Sequence, residues 1–169
     1  MEEVSLQEML AAREQRSALQ TRLLQQYKKS LISFTLNIPG PVKVPDGVPQ
    51  AFATGCRRIE TLLKDRLGLV QHMETIKEKT GYEAFYCIDA NPEFIKTLMV
   101  TLEDQDRLGR LFDIDVIRPD GSKVSREELG RPSRTCLLCK EPAHACSRSR
   151  RHSVAELTAE IGHILKDLY

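Results

Sequence analysis

The run Gly109-Arg110-Leu111-Phe112-Asp113-Ile114-Asp115-Val116-Ile117 constrains this chain most, because it sets two carboxylates into an otherwise apolar β-strand. Successive side chains on a strand face opposite ways, so Asp113 and Asp115 share one face while Phe112, Ile114 and Val116 share the other. Like charges so placed repel each other, and a divalent cation between them relieves the repulsion. Magnesium favours hard oxygen ligands shared with substrate phosphates. The pattern points to metal-dependent phosphoryl or nucleotidyl chemistry; the competing explanation is a pair of surface acids facing water.

The 169 residues suit one globular domain with a real core. With 25 basic and 24 acidic residues there is no global field to draw nucleic acid or a membrane surface, and the absence of Trp weakens any base-stacking platform. No stretch is apolar for long enough to span a bilayer, and Met1-Glu2-Glu3 is acidic where a signal peptide is basic. Five cysteines, two of them in a Cys-x-x-Cys, suit a reducing compartment better than a disulfide framework, so a cytoplasmic protein is expected. Charge is uneven along the chain. From Glu83 to Asp106 acids dominate, with Lys96 the lone base, whereas Arg126, Arg131, Arg134, Lys140, Arg148, Arg150 and Arg151 make the later segment basic. A metal and a polyphosphate would need both halves.

The coarse layout is α+β. Ser5-Leu6-Gln7-Glu8 is a capping box opening a helix toward Lys29, and Leu31 to Ile38 reads as a strand stopped by Pro39-Gly40-Pro41. A helix from about Pro49 to Leu67 presents Phe52, Cys56, Ile59, Leu62 and Leu63 on one side. Leu69 to Lys77 and Tyr82 to Ile88 form a hairpin about Lys79-Thr80-Gly81. Asn91-Pro92-Glu93 marks a turn or short helix, and Leu98, Val100 and Leu102 alternate with polar or larger neighbours as in a strand. The Asp-x-Asp strand follows, and Pro119-Asp120-Gly121 turns the chain into Ser122 to Val124. Sequential strands tend to be neighbours, so a mostly antiparallel mixed sheet flanked by helices is expected.

Cys136-x-x-Cys139, followed by Cys146 and His152, is a second constellation. Thiolate and imidazole are the preferred zinc ligands, and four of them in this span can close a tetrahedral structural site. The Cys139 to Cys146 spacing is shorter than in common zinc modules, and buried reduced cysteines packing as small hydrophobes are the competing reading. Ser153-Val154-Ala155-Glu156 is another capping box, opening a final helix with Leu157, Ile161, Ile164, Leu165 and Leu168 on its core stripe.

Three ordered blocks now stand together: Ile32-Ser33-Phe34-Thr35 with Pro39-Gly40-Pro41-Val42-Lys43, Leu108 to Val116, and Arg134-x-Cys136-Leu137-Leu138-Cys139 leading to Cys146, Arg148 and His152. From about Ser30 to Leu168 the chain resembles the citrate lyase holo-acyl-carrier-protein synthases, also called apo-citrate lyase phosphoribosyl-dephospho-CoA transferases. The resemblance implies a single, nucleotidyltransferase-like transferase domain over residues 1–169, with a Cys-rich segment at 134–152 and a C-terminal helix. It implies that triphosphoribosyl-dephospho-CoA is the donor, a serine of the citrate lyase acyl carrier protein the acceptor, and diphosphate the leaving group.

On that basis Asp113 and Asp115 are expected to hold magnesium on the triphosphate. Glu103, at the end of the preceding predicted strand, is the candidate third carboxylate or base. Arg110, Arg134 and Lys43 are candidate phosphate contacts, since a guanidinium matches phosphate oxygens bidentately. Asp106 and Arg107 stand where family members carry His and Pro, and Thr54 where they carry His, which argues against histidine catalysis. Two other readings are a malonate decarboxylase-type carrier-protein modifier and a noncatalytic zinc-binding interaction module; aspartates far from any pocket would favour the module.

Overall fold

Local rules set each element before packing does. The computed structural model describes residues 1–68 and 70–168. Helix α1 (Leu6–Tyr27) opens on the Ser5/Glu8 capping box, both bonds of which form, and ends where Lys28 turns left-handed with φ 55°. Strand β1 (Ser30–Leu36) stops before the Pro-Gly-Pro loop. Helix α2 (Val48–Arg66) follows, then β2 (His72–Glu78) and β3 (Gly81–Ile88), which form the expected hairpin. The predicted first arm began at Leu69, which lies outside the described residues.

The chain departs from expectation next. Leu98 to Glu103, predicted as a strand, belongs to helix α3 (Pro92–Asp104), which starts at the Asn91 cap with Pro92 in its first turn. Ile95, Leu98, Met99 and Leu102 carry a helical period, but Val100 is buried as well, so the apolar pattern runs nearly all round and mimics alternation. A 3-10 turn (Leu108–Leu111) leads into β4 (Phe112–Ile117), the Asp-x-Asp strand. Ser122 to Val124 forms no strand; Lys123 makes a single bridge to Ile117. Short helix α4 (Ala143–Ser149) and α5 (Val154–Lys166), capped by Ser153, complete the chain.

The sheet order is β2-β3-β1-β4, and every pairing is antiparallel. This bears out an α+β fold with an antiparallel sheet and flanking helices. One face, with Ile32, Phe34, Tyr86, Ile88, Ile114 and Val116, packs against α2, α3 and α5 in the main core. The other face buries Leu31, Phe85, Cys87 and Ile117 under α1 through Leu23. Close packing is visible at Gly55 of α2, where a Cβ would lie 2.3 Å from the Phe34 ring.

The two halves of α1 do different work. Its apolar contacts, Leu19, Leu23, Leu24 and Tyr27, come from the second half. Arg13, Arg16 and Gln20 follow one another at helical spacing and face the polar end of the sheet, where Arg16 meets Glu83 and Gln20 meets Ser33.

Candidate active site and metal centre

Register across the sheet gathers polar side chains on the α1 face. Thr35 of β1 stands opposite Glu83 of β3 on one side and Asp113 of β4 on the other, and Ser33 stands opposite Asp115. Asp113 opens into a recess of about 150 Å³ that it shares with Arg13, Arg16, Asn37, Lys43 and Glu83. The site therefore combines carboxylates with three cations at the end of the sheet.

The two aspartates differ in surroundings. Asp113 is solvent-accessible at the recess but closely surrounded by protein, and accepts no hydrogen bond from a described residue. Desolvation, then the charges of Asp115 and Glu103, push its carboxyl above the usual range. Asp115 is half-buried and takes a 3.1 Å bond from the Lys123 ammonium. Lys43 lines the recess as expected, donating to the Ile38 carbonyl at 2.8 Å, and burial followed by the nearby Arg13 lowers its pKa.

Glu83, Arg13 and Arg16 escaped the sequence reading. Glu83 is buried, with burial raising its carboxyl and the Arg16 guanidinium, 2.9 Å away, opposing that rise. The residues of this pair are 67 positions apart, so only the sheet register brings them together. The visible signal was the polar Arg13/Arg16/Gln20 stripe on a helix whose leucines cluster in its second half.

Glu103 occupies a different place from the strand end expected of it. It sits near the end of α3 and is 3 % exposed, beneath β4. One oxygen accepts from the Ile114 amide at 2.9 Å, and the other from Arg126 at 2.7 Å. The Lys96 ammonium, also buried on α3, donates to the Ile114 carbonyl at 2.8 Å. Since β4 is an edge strand, these side chains satisfy the outward backbone groups of the residue lying between Asp113 and Asp115. Glu103 and Lys96 thus fix the peptide that aims the two aspartates.

Arg134 and Arg110 brace the approach to β4. Arg134 donates to the carbonyls of Phe112 at 2.7 Å and Arg110 at 2.8 Å, and Arg110 donates to both the hydroxyl and the carbonyl of Thr135. Arg110 Nε is buried without a partner. Both arginines line a larger cavity that neither Asp113 nor Lys43 lines, although the Arg134 charge still acts on the Asp113 carboxyl, so the structure does not bring them together with Lys43. Gly109 is required at the preceding turn, because a Cβ there would lie 2.2 Å from the Leu102 carbonyl oxygen. Asp106 holds that turn, accepting from the Gly109 amide at 2.8 Å while Arg58 grips it with two bonds.

The Cys/His constellation closes as one group. Thr135 bridges to Pro142 and the Cys136 amide donates to the Glu141 carbonyl, making a small hairpin that carries Cys136 and Cys139. Cys146 comes from α4 and His152 from the turn before α5. Their ligand atoms all lie within 4.8 Å of one another, and the Cys139 and Cys146 sulfurs are 3.4 Å apart. His152 Nε2 is buried with no hydrogen-bond partner, while Nδ1 faces Glu156 at 3.6 Å. A free ring nitrogen inside, with the other held by a carboxylate, is how metal-bound imidazoles are oriented. Burial and the neighbouring thiols push Cys146 up to about 12; Cys136 lies below its ordinary value, burial being outweighed by amide and thiol hydrogen bonds. This group has the composition and geometry to hold a metal ion.

A family model described as apo-citrate lyase phosphoribosyl-dephospho-CoA transferase matches residues 4–168. A Vibrio cholerae protein named probable apo-citrate lyase phosphoribosyl-dephospho-CoA transferase is 39% identical over 165 residues, covering 97% of this chain and 93% of the relative. A Streptococcus pyogenes protein of the same name is 36% identical over 174 residues, covering 99% and 88%. An apo-citrate lyase phosphoribosyl-dephospho-CoA transferase from Citrobacter koseri is 34% identical over 164 residues, covering 97% and 90%. Among the described residues no helix is long and apolar enough to cross a membrane. With the family model covering residues 4–168 and these relatives 34–39% identical over nearly its whole length, the chain belongs to the apo-citrate lyase phosphoribosyl-dephospho-CoA transferase family.

Proposed function

We propose that this protein is a transferase that moves the phosphoribosyl-dephospho-CoA group from its triphosphate precursor to a serine of the citrate lyase acyl carrier protein, releasing diphosphate. The family match supports the citrate lyase reaction over its malonate decarboxylase analogue. The observation that carries the chemistry is Asp113, an accessible carboxylate without a hydrogen-bond donor, in a recess with Arg13, Arg16 and Lys43. An interaction module would leave that arrangement unexplained.

Asp113 and Asp115 would hold magnesium: the donor set is hard oxygen, and the raised Asp113 carboxyl is what a cation would relieve. When bound, the ion neutralises charge developing on the phosphates. Arg13 and Lys43 draw the departing diphosphate into the recess. The carrier serine approaches from the open side of Asp113; its oxygen bonds to the α-phosphorus as the bond to the β-phosphate oxygen breaks, and its proton passes to solvent. Glu103 holds β4 in place rather than acting as the base. The Cys136, Cys139, Cys146 and His152 centre is a structural zinc site, closed to substrate by having four protein ligands.

Incubation with apo carrier, triphosphoribosyl-dephospho-CoA and magnesium should add the phosphoribosyl-dephospho-CoA mass to the carrier, with an equal amount of diphosphate. A carrier that gains only phosphopantetheine, or nothing, would refute the proposal. Metal analysis of protein purified without chelator should find one zinc per chain.

A further inference from the structure

The transfer chemistry uses the small recess and leaves the larger cavity without a role. That cavity holds about 620 Å³, within the range of small-molecule sites. Leu111 and Leu137 line it from the β4 approach and the Cys hairpin, and Leu157 and Ile161 line it from α5. Val154, at the start of α5, also lines it. Arg110, Arg134 and Arg150 supply cationic groups to the same lining, and the buried Nε of Arg110 has no partner among the described residues.

Asn37, just after β1, lines both the cavity and the Asp113 recess, so the two spaces are neighbours on either side of one residue. A ligand with its phosphates beside Asp113 would reach the larger space by rounding Asn37. The donor is such a ligand. Its triphosphate suits the cationic recess, and its adenine base is flat and apolar with polar edges. Apolar walls suit the base and the cavity arginines suit its polar edges and the attached phosphates, whereas the long, flexible pantetheine arm gives up more rotational freedom on being enclosed. We propose that this cavity binds the adenosine portion of the dephospho-CoA donor. The assignment rests on the proposed transfer reaction.

It also gives the Cys/His centre a place in donor binding. Cys136, Cys146 and His152 line the same cavity, so the centre forms one of its walls.

Calorimetric titration of the metal-loaded protein tests this with dephospho-CoA, adenosine and phosphopantetheine as probes. Dephospho-CoA and adenosine should bind the unsubstituted protein, and phosphopantetheine should not. Leu157→Trp fills the cavity and should weaken dephospho-CoA at least tenfold while raising the donor KM by a similar factor. Ala143→Leu, which intrudes from the opposite wall, serves if the tryptophan variant loses its circular dichroism spectrum or its metal. Undiminished dephospho-CoA binding in a folded, filled variant would overturn the assignment, as would phosphopantetheine binding without adenosine binding. Failure of the unsubstituted protein to label any carrier would instead overturn the transfer reaction; in that case, loss of adenosine binding on filling the cavity would still support this as a nucleoside site.

Discussion

Asp113 and Asp115 differ by two positions and stand on one strand face, yet only Asp115 has a cationic partner, Lys123. Asp113→Asn and Asp115→Asn should each reduce carrier labelling at least about 100-fold, because several kcal/mol of transition-state charge stabilisation are lost with the metal ligand. Stability separates them. The Asp113 pKa is raised in the folded state, so ionisation opposes folding above that pKa and the penalty disappears below it. Asp113→Asn should therefore be more thermostable than the unsubstituted protein at pH 7–8, with the advantage fading as the pH falls through the carboxylate range. Melting curves across pH check this. Gly109→Ala should lose at least about 2 kcal/mol in urea denaturation, since the new methyl meets backbone rather than a side chain that can move. The carboxylate pair was legible because strand alternation is a local rule. Glu83 and Arg16 were not, because their meeting depends on which strands pair and where α1 crosses them.

Strand β4 depends on side chains for groups that a sheet interior would pair with another strand. Glu103→Ala leaves the Ile114 amide buried without its acceptor and Arg126 with Asp104 as its remaining carboxylate, and should cost about 2–3 kcal/mol. Glu103→Gln retains an acceptor for Ile114 and should cost less. Lys96→Met strands the Ile114 carbonyl, at about 1–3 kcal/mol. Urea denaturation ranks the three. If Glu103 positions the strand, activity should follow this stability order; a Gln variant of near-normal stability that cannot transfer would instead make Glu103 the base. The sequence revealed α1, α2, β1, β3, β4 and α5 through capping boxes, proline stops and apolar spacing. It misplaced α3, because the alternation of Leu98, Val100 and Leu102 competes with the helical period of Ile95, Leu98, Met99 and Leu102, and the Asn91 cap with Pro92 in the first turn settles the matter for a helix. It misplaced Glu103 for the same reason, since a carboxylate on a supposed strand end reads as a neighbour of the aspartates rather than as a bolt beneath them.

Across the whole molecule, stabilising contacts are unevenly shared. From Gly130 to Ser153 the only buried apolar side chains are Cys136 and Cys146, neither of them wholly enclosed, whereas the sheet is filled on both faces. A segment with so little core would take its order from a metal held by Cys136, Cys139, Cys146 and His152. Chelation at neutral pH should therefore expose the segment 134–152 to proteolysis while the sheet and α1 to α3 stay protected. Mass mapping of the fragments, with far-ultraviolet circular dichroism, checks this; cleavage spread evenly over the chain would contradict it. The four ligands were legible as a set because their residue types are unusual and close in sequence. Their position in the wall of a cavity was not, since that requires α5 to fold back over the approach to β4.

The capped edge of β4 also limits how another protein can reach the aspartates. With the Ile114 amide and carbonyl held by Glu103 and Lys96, and the Phe112 carbonyl by Arg134, an incoming strand would find those sites occupied and would have to expel buried charges to pair there. In the proposed reaction the carrier protein would instead present its serine from above the sheet, held through side chains and loop contacts, and could leave again once modified.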